Sequence, residues 1–76
     1  PFNPETKISF SIPKSDFVTL EIFDALGRKI ETLMNKETGA GNYDINWNAN
    51  DLSGGVYFYK LTTSQFSDTK RMILIK

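Results

Sequence analysis

Apolar and polar side chains alternate at every second position in several short segments of this chain. Successive side chains of a β-strand point to opposite faces, so alternation of this kind is typical of strands with one buried face. The clearest segments have the inward sets Ile8, Phe10 and Ile12; Val18, Leu20 and Ile22; and Tyr43, Ile45 and Trp47. Proline, glycine and polar residues separate these segments, as they do where strands are joined by turns. The pattern predicts an all-β chain.

The segment 56–61 is the most apolar strand that the sequence predicts. It follows Gly54 and Gly55, which together allow the positive φ angles of a tight turn. Both faces of the segment are largely apolar, with Tyr57, Tyr59 and Leu61 on one and Val56, Phe58 and Lys60 on the other. We therefore expect a central strand of a sheet.

The remaining segments complete the predicted sheet. Segment 29–34 spaces Ile30 and Leu33 three residues apart, and we interpret it as a bulged strand whose apolar side chains join the core. Residues 35–42 hold two of the five glycines and predict a loop, and residues 66–75 predict the last strand. Short connections between strands favour antiparallel neighbours. The spacing of roughly 8–12 residues between strands predicts an immunoglobulin-like antiparallel β-sandwich of about six to seven strands, as a single domain over residues 1–76.

The composition excludes several classes of function. Nine basic and nine acidic side chains give zero net charge, which argues against capture by nucleic acid or an anionic membrane. The chain has no cysteine and no histidine, so it lacks thiolate chemistry, the commonest general base and the commonest zinc ligand. Its carboxylates are scattered singly, and nothing pairs them for acid–base catalysis. We expect neither an enzyme nor a cofactor, and no small-molecule substrate.

Two weaker patterns each have a functional and a plain structural interpretation. Residues 44–51 alternate Asp and Asn side chains like a calcium loop, but Ala49 stands where that loop needs glycine, and no glutamate follows. Alternation also arises on the outer face of a strand, so we expect no metal site. Four aromatic side chains fall outside the predicted core and offer a sugar-stacking platform or, alternatively, packing at sheet edges: Phe17, Phe23, Phe58 and Phe66.

Four blocks in order resemble a known family. They are Pro-Phe-Asn-Pro at 1–4 with Thr-Lys-Ile-Ser-Phe at 6–10; the Val-x-Leu-x-Ile-x-Asp-x-Leu-Gly-Arg run at 18–28; Gly-x-Tyr and Trp-Asn in 41–48 with Leu-Ser-x-Gly-Val-Tyr-Phe-Tyr at 52–59; and the basic and apolar terminus at 70–76. Together they resemble the type A C-terminal sorting domains of the type IX (Por) secretion system. The immunoglobulin-like domain of the flagellar hook-capping protein is similar in the second and third blocks.

The resemblance implies a non-catalytic signal at the C-terminus of a larger exported protein of a Gram-negative bacterium, from which this domain is excised. Such a signal directs its cargo from the periplasm through the outer membrane to the cell surface or the medium, and a sortase-like peptidase removes it. The implied partners are the type IX machinery and that peptidase, and we expect a monomer. The alternative function is an accessory β-sandwich module of a secreted enzyme, either carbohydrate-binding or a structural spacer.

The resemblance also implies a recognition surface on the last hairpin. The matched positions are Gly55, Tyr57, Lys60, Lys70, Arg71 and Lys76. Each also has a structural interpretation, which is the turn for the glycine, the core for the tyrosine and protection of an edge strand for the cations.

Overall fold

The computed structural model describes residues 5–49 and 52–75, which form strands and turns without a helix. The strands are β1 (Glu5–Ile12), β2 (Asp16–Asp24), β3 (Lys29–Thr38), β4 (Gly41–Asn48), β5 (Gly55–Thr62) and β6 (Ser67–Leu74). Every pair of hydrogen-bonded neighbours is antiparallel. The prediction of an all-β chain with about six strands is confirmed.

The strands form two sheets that pack face to face. One sheet has two strands in the order β1-β4, and the other has four in the order β3-β2-β5-β6. In an immunoglobulin-like sandwich, strands B and E are neighbours in one sheet and strands C′, C, F and G follow each other in the second. Taking β1 to β6 as B, C, C′, E, F and G reproduces that order. The fold is therefore the predicted β-sandwich.

The core lies between the inward faces of the two sheets. Its largest fully buried side chains are Trp47 of β4 and three consecutive inward residues of β2, namely Val18, Leu20 and Ile22. The rings of Trp47 and of Tyr57 on β5 meet edge to face, with centroids 5.9 Å apart and planes at 70°. Edge-to-face pairs of this kind add to the free energy gained by burying the two rings. This contact joins the two-stranded sheet to the centre of the four-stranded one.

A hydrogen bond crosses between the sheets beside this aromatic pair. The indole N–H of Trp47 donates to Oε1 of Glu31 on β3 at 3.1 Å. A buried indole needs an acceptor for its N–H, because an unpaired donor away from water is costly. Glu31 therefore satisfies Trp47 and ties β3 to β4.

Strand β3 carries the predicted irregularity. Its register with β2 shifts between Leu20 and Glu21 and again between Ile22 and Phe23, so that Leu33 and Ile30 are the extra residues of two bulges. The bulged strand is confirmed, but the place of Ile30 in the core is wrong, since its side chain is 38% exposed. The bulge leaves it without an inward position on this edge strand.

The predicted loop over residues 35–42 is also wrong. β3 continues to Thr38 and pairs with β2 as far as Asp16, and β4 already begins at Gly41. Residues 35–37 are polar on both faces, so apolar alternation could not identify them as strand. Their place in the sheet comes from hydrogen bonding to β2. The alternation also missed two core side chains, Met34 and Ala49.

Candidate recognition surfaces

The turn between β2 and β3 is built around the carboxylate of Asp24. Its Oδ1 accepts the backbone N–H groups of Leu26 and Arg28, each at 2.9 Å, and its Oδ2 accepts Nε of Arg28 at 2.8 Å. The N–H of Arg28 is the main cause that lowers the pKa of Asp24, aided by the guanidinium and the Leu26 N–H and opposed by burial. Gly27 has φ +83°, a left-handed conformation that favours glycine. Asp24 thus caps this turn, and Gly27 supplies its left-handed residue.

The turn before β5 is closed by Tyr57. Its ring is buried, and its hydroxyl donates to the carbonyl oxygen of Ser53 at 2.7 Å. A tyrosine at the start of strand F that reaches a backbone atom a few residues upstream is the tyrosine corner of immunoglobulin-like sandwiches. Gly55 has φ +149°, which strains any residue with a side chain. The core position of Tyr57 is confirmed, and the hydrogen bond at the corner is an addition that the sequence pattern did not reveal.

The two turns lie side by side at one end of the sandwich and line a groove of about 210 Å³. Leu26 projects from one wall with 79% of its surface exposed, and Arg28, whose guanidinium pairs with Asp24, also lines the groove. Gly54 and Gly55 form part of the other wall and leave backbone rather than side chain at the surface. The groove thus joins the second and third of the family-like blocks, which are distant in sequence.

Lys60 and Arg71 share the outer face of the four-stranded sheet, the face turned away from β1 and β4. Arg71 of β6 lies opposite Phe58 of β5. Lys60 belongs to the next pair on the same face and lies opposite Thr69. Phe58 in turn lies opposite Phe23 of β2. The arrangement places both cations beside a pair of phenylalanines. Cross-strand neighbours at these positions are close enough for their side chains to act on one partner.

Lys70 lies on the other face of β6. It is opposite Tyr59, whose side chain packs against the core, yet Lys70 itself is exposed because β6 is an edge strand. Burial, and secondarily the nearby Asp68 carboxylate, raises the pKa of Tyr59. Lys76 lies outside the described residues. The other five positions of the expected recognition surface are divided between the end groove, the outer face and the inner edge of β6.

The aromatic side chains outside the core do not form one platform. Phe23 and Phe58 are half-buried partners near one end of the outer face. Phe17 lies at the opposite end of β2, opposite Glu37, and Phe66 precedes β6 in the turn after β5. The rings are thus divided between the two ends of the four-stranded sheet and do not form one continuous stacking surface.

The polar ladder of β4 lies on the outer face of the two-stranded sheet. Asp44 accepts a hydrogen bond from the Ser9 hydroxyl at 2.7 Å, and Asn42 accepts one from Ser11 at 2.6 Å. The calcium-like run is thus partly strand surface, while its residues 50 and 51 lie outside the described part. Within residues 5–49 and 52–75, no group of three or more acidic side chains could hold a metal ion.

A comparison with protein families decides what kind of domain this is. The model of the secretion system C-terminal sorting domain, the Por secretion tail, matches residues 1–76. The chain belongs to this family. No curated protein and no solved structure is significantly similar to it.

Membership gives the sorting domain its general role. The family supports a C-terminal sorting signal for type IX secretion, with an interaction with that machinery in general. Export to the cell surface or the extracellular medium is implied, and the family is non-catalytic in general. In the described part of the chain, no helix is long and apolar enough to cross a membrane.

Proposed function

We propose that this sorting domain directs a cargo protein from the periplasm through the outer membrane by way of the type IX machinery. The family match over residues 1–76 carries the proposal. The fold supports it, because a packed β-sandwich whose turn before β5 is held by the Tyr57 hydroxyl presents a rigid set of surfaces to a partner. In this proposal the domain acts as a monomer, joined to the cargo at its N-terminal side, and a sortase-like peptidase removes it at the cell surface.

The experiment is a fusion of residues 1–76, with a short upstream linker, behind a periplasmic reporter. In a Gram-negative host that has the type IX machinery, the reporter should reach the surface or the medium. The same fusion in an isogenic strain that lacks the machinery is the control. Intact fusion retained in the periplasm of the competent host contradicts the proposal.

Removal by a peptidase has a separate readout in the same experiment. The exported reporter should be smaller than the intracellular fusion by at least the 8.6 kDa of this domain. A host without the peptidase should accumulate the full-length fusion. Exported reporter that keeps its full mass in the wild-type host contradicts removal but leaves the sorting role standing.

A further inference from the structure

The outer face of the four-stranded sheet carries an apolar patch with a cationic border. We call it the outer patch and define it as Phe23, Val56, Phe58 and Ile73 with Lys29, Lys60 and Arg71. The strand register brings these residues together, because Phe23 faces Phe58, Phe58 faces Arg71, Val56 faces Ile73 and Phe23 faces Lys29. The two-stranded sheet packs on the opposite face, so it does not cover this patch.

The charges of the outer patch are unequal although the whole chain is neutral. Glu21 is the carboxylate next to it, lying opposite Lys60 and forming an ion pair with Lys29 at 3.3 Å. The other ion pair within residues 5–49 and 52–75 joins Arg28 to Asp24. Neither Lys60 nor Arg71 has an ion-pair partner there. The patch thus has a local positive excess in a chain with zero net charge.

The outer faces of the two sheets differ. On the two-stranded sheet, Ser9 and Asp44 bond to each other, as do Ser11 and Asn42, so that these polar groups are satisfied within the sheet. On the four-stranded sheet, Ile73 is 39% exposed beside half-buried phenylalanines. An apolar centre with a charged rim is the usual anatomy of a protein interface. This is the face of the sandwich that resembles an interface.

We propose that the outer patch docks an acidic protein surface of the secretion machinery. Phe58 and Ile73 form the apolar centre of the contact, while Lys60 and Arg71 pair with carboxylates of the partner. Charge complementarity selects an acidic partner, since like charges across an interface are strongly disfavoured. A protein fits better than an anionic lipid surface, because lipid-binding clusters carry about 4–8 cations, whereas the outer patch has Lys29, Lys60 and Arg71, and Lys29 is already paired with Glu21. The proposal rests on the proposed function and specifies which face the machinery binds.

Adjacent residues of β6 provide a matched test. Lys70 and Arg71 are both exposed and carry the same charge, but they project from opposite faces of the sheet. In the reporter fusion, Arg71→Glu should lower the exported fraction by about tenfold or more, while Lys70→Glu should change it by no more than about twofold. Export reduced equally by both substitutions would mean that the basic terminus is read as a linear segment, and would overturn the proposal. Export unchanged by both would overturn it as well.

The apolar centre has its own matched pair. Ile73 and Phe66 are 39% and 37% exposed, but Phe66 lies at the other end of β6, away from the outer patch. Ile73→Ser should lower export several-fold and Phe66→Ser should not. The reverse order would contradict the proposal. The melting temperature of each purified variant checks folding, and Lys60→Glu on β5 replaces Arg71→Glu if the latter does not fold.

Two controls separate this proposal from the proposed function and from lipid binding. Failure of the wild-type fusion to leave the periplasm overturns the sorting role and this inference together, whereas failure of the face-specific pattern alone overturns only the inference. The purified fusion is also sedimented with phosphatidylcholine vesicles that contain phosphatidylglycerol. Binding that Arg71→Glu removes would assign the patch to anionic lipid and overturn docking to a protein. Absence of vesicle binding, together with the predicted loss of export, supports it.

Discussion

Two side chains, Asp24 and Tyr57, close the turns on either side of the end groove by bonding to nearby backbone atoms. Asp24 accepts two backbone N–H groups that would otherwise lack a partner in the turn, and Tyr57 donates to the carbonyl oxygen of Ser53. Buried or half-buried backbone groups almost always find such partners, because leaving them unpaired is costly. The shape of the groove thus depends on single residues.

Substitution of Tyr57 tests the corner in two steps. Tyr57→Ala removes a buried ring and should lower the free energy of unfolding by about 3–5 kcal/mol. Tyr57→Phe keeps the ring, loses the bond to Ser53 and should cost about 0.5–1.5 kcal/mol. The control is Tyr43→Phe, which removes a similar bond to the Gly39 carbonyl at an exposed site and should cost less. Denaturant unfolding measures all three, and equal stabilities of Tyr57→Phe and wild type would show that the corner bond contributes nothing.

The Asp24 turn makes stability depend on pH in the acid range. The folded pKa of Asp24 lies below its ordinary value of 3.8, so the ionised carboxylate stabilises the folded state. That contribution is complete above the unfolded pKa and is lost as pH falls through about 3.8 towards the lower folded value. Asp24→Asn should therefore unfold more readily than wild type at pH 7, and the difference should shrink below that point. Melting curves from pH 7 to pH 2 check this, and a constant difference would rule out a role for ionised Asp24.

Among the elements, strands with a well-covered inward face were predictable, whereas the length of the edge strand β3 and the burial of the side chains along it were not. β2, β4 and β5 have covered inward faces, so burial of apolar area imposes alternation that can be read directly. β3 lies at an edge, bends at two bulges and ends with polar residues on both faces, as edge strands commonly do. Hydrogen bonds to β2 decide its length, and no local pattern records them. The predicted core position of Ile30 and the predicted loop over residues 35–42 were wrong for this reason.

The candidate site shows the same limit. Alternation along β6 already separates Lys70 from Arg71, but only the register with β5 shows that Arg71 joins Phe58 and Phe23. The groove combines two turns that are brought together by the pairing of Asp24 at the end of β2 with Tyr57 of β5. Pairing between strands distant in sequence is therefore what the residue pattern lacked. The recognition residues stay a prediction, and the division of the five described ones among three surfaces could be learned only from the structure.

The β2–β3 hairpin depends on the left-handed conformation of Gly27. A side chain in that conformation costs about 1–2 kcal/mol, and asparagine costs less than alanine because it visits this region more readily. A Cβ at Gly27 would have open space around it, so the expected loss is due to backbone strain alone. Gly27→Ala should therefore lower the stability by about that amount, and Gly27→Asn by less. The control is Gly39→Ala, whose Cβ would make an ordinary contact with the Tyr43 hydroxyl at 3.8 Å; similar losses at both glycines, measured by thermal unfolding, would contradict this account.

On the scale of the whole molecule, the two sheets are unequal, and this inequality creates the surfaces. Two strands cannot cover the inner face of four, so the edge strands β3 and β6 extend beyond the core. Lys70 is therefore exposed on an inner face, and Arg71 borders the outer patch. A chain of 76 residues buries only about 60% of its unfolded surface, so exposed apolar side chains are expected in such a domain. Their combination with unpaired cations makes the outer patch different from ordinary exposure.

The whole domain should be indifferent to calcium. The described part of the Asp and Asn run is strand surface, and the Asp44 carboxylate already accepts the Ser9 hydroxyl. A bound ion at 100 times its dissociation constant would raise the free energy of unfolding by about 2.7 kcal/mol. We expect the same melting temperature in millimolar calcium and in chelator. A clear rise with calcium, absent with magnesium at equal ionic strength, would show that residues 44–51 bind the ion.

The two sheets should unfold as one cooperative unit, because neither is stable without the other. An isolated pair of strands is marginal in water at best. β1 and β4 are not consecutive in the chain either, because β2 and β3 of the other sheet lie between them in sequence. Loss of the pair would in turn expose Val18, Leu20 and Ile22, which are fully buried against it. The single tryptophan, Trp47, lies on the smaller sheet and contacts Tyr57 of the larger one, so its fluorescence reports the packing between them. Far-ultraviolet circular dichroism reports the strands of both sheets.

The two signals should therefore share one midpoint in urea, as coincident transitions mark two-state unfolding. Tyr57→Ala weakens the contact between the sheets and should lower both midpoints together. In a single cooperative unit, a local loss of stability lowers the free energy of unfolding of the whole domain. Gly27→Ala, which acts on a turn far from Trp47 in sequence, should also move both. A fluorescence transition that precedes the dichroism transition would contradict this prediction, since it would mean that the four-stranded sheet survives after β1 and β4 have left it.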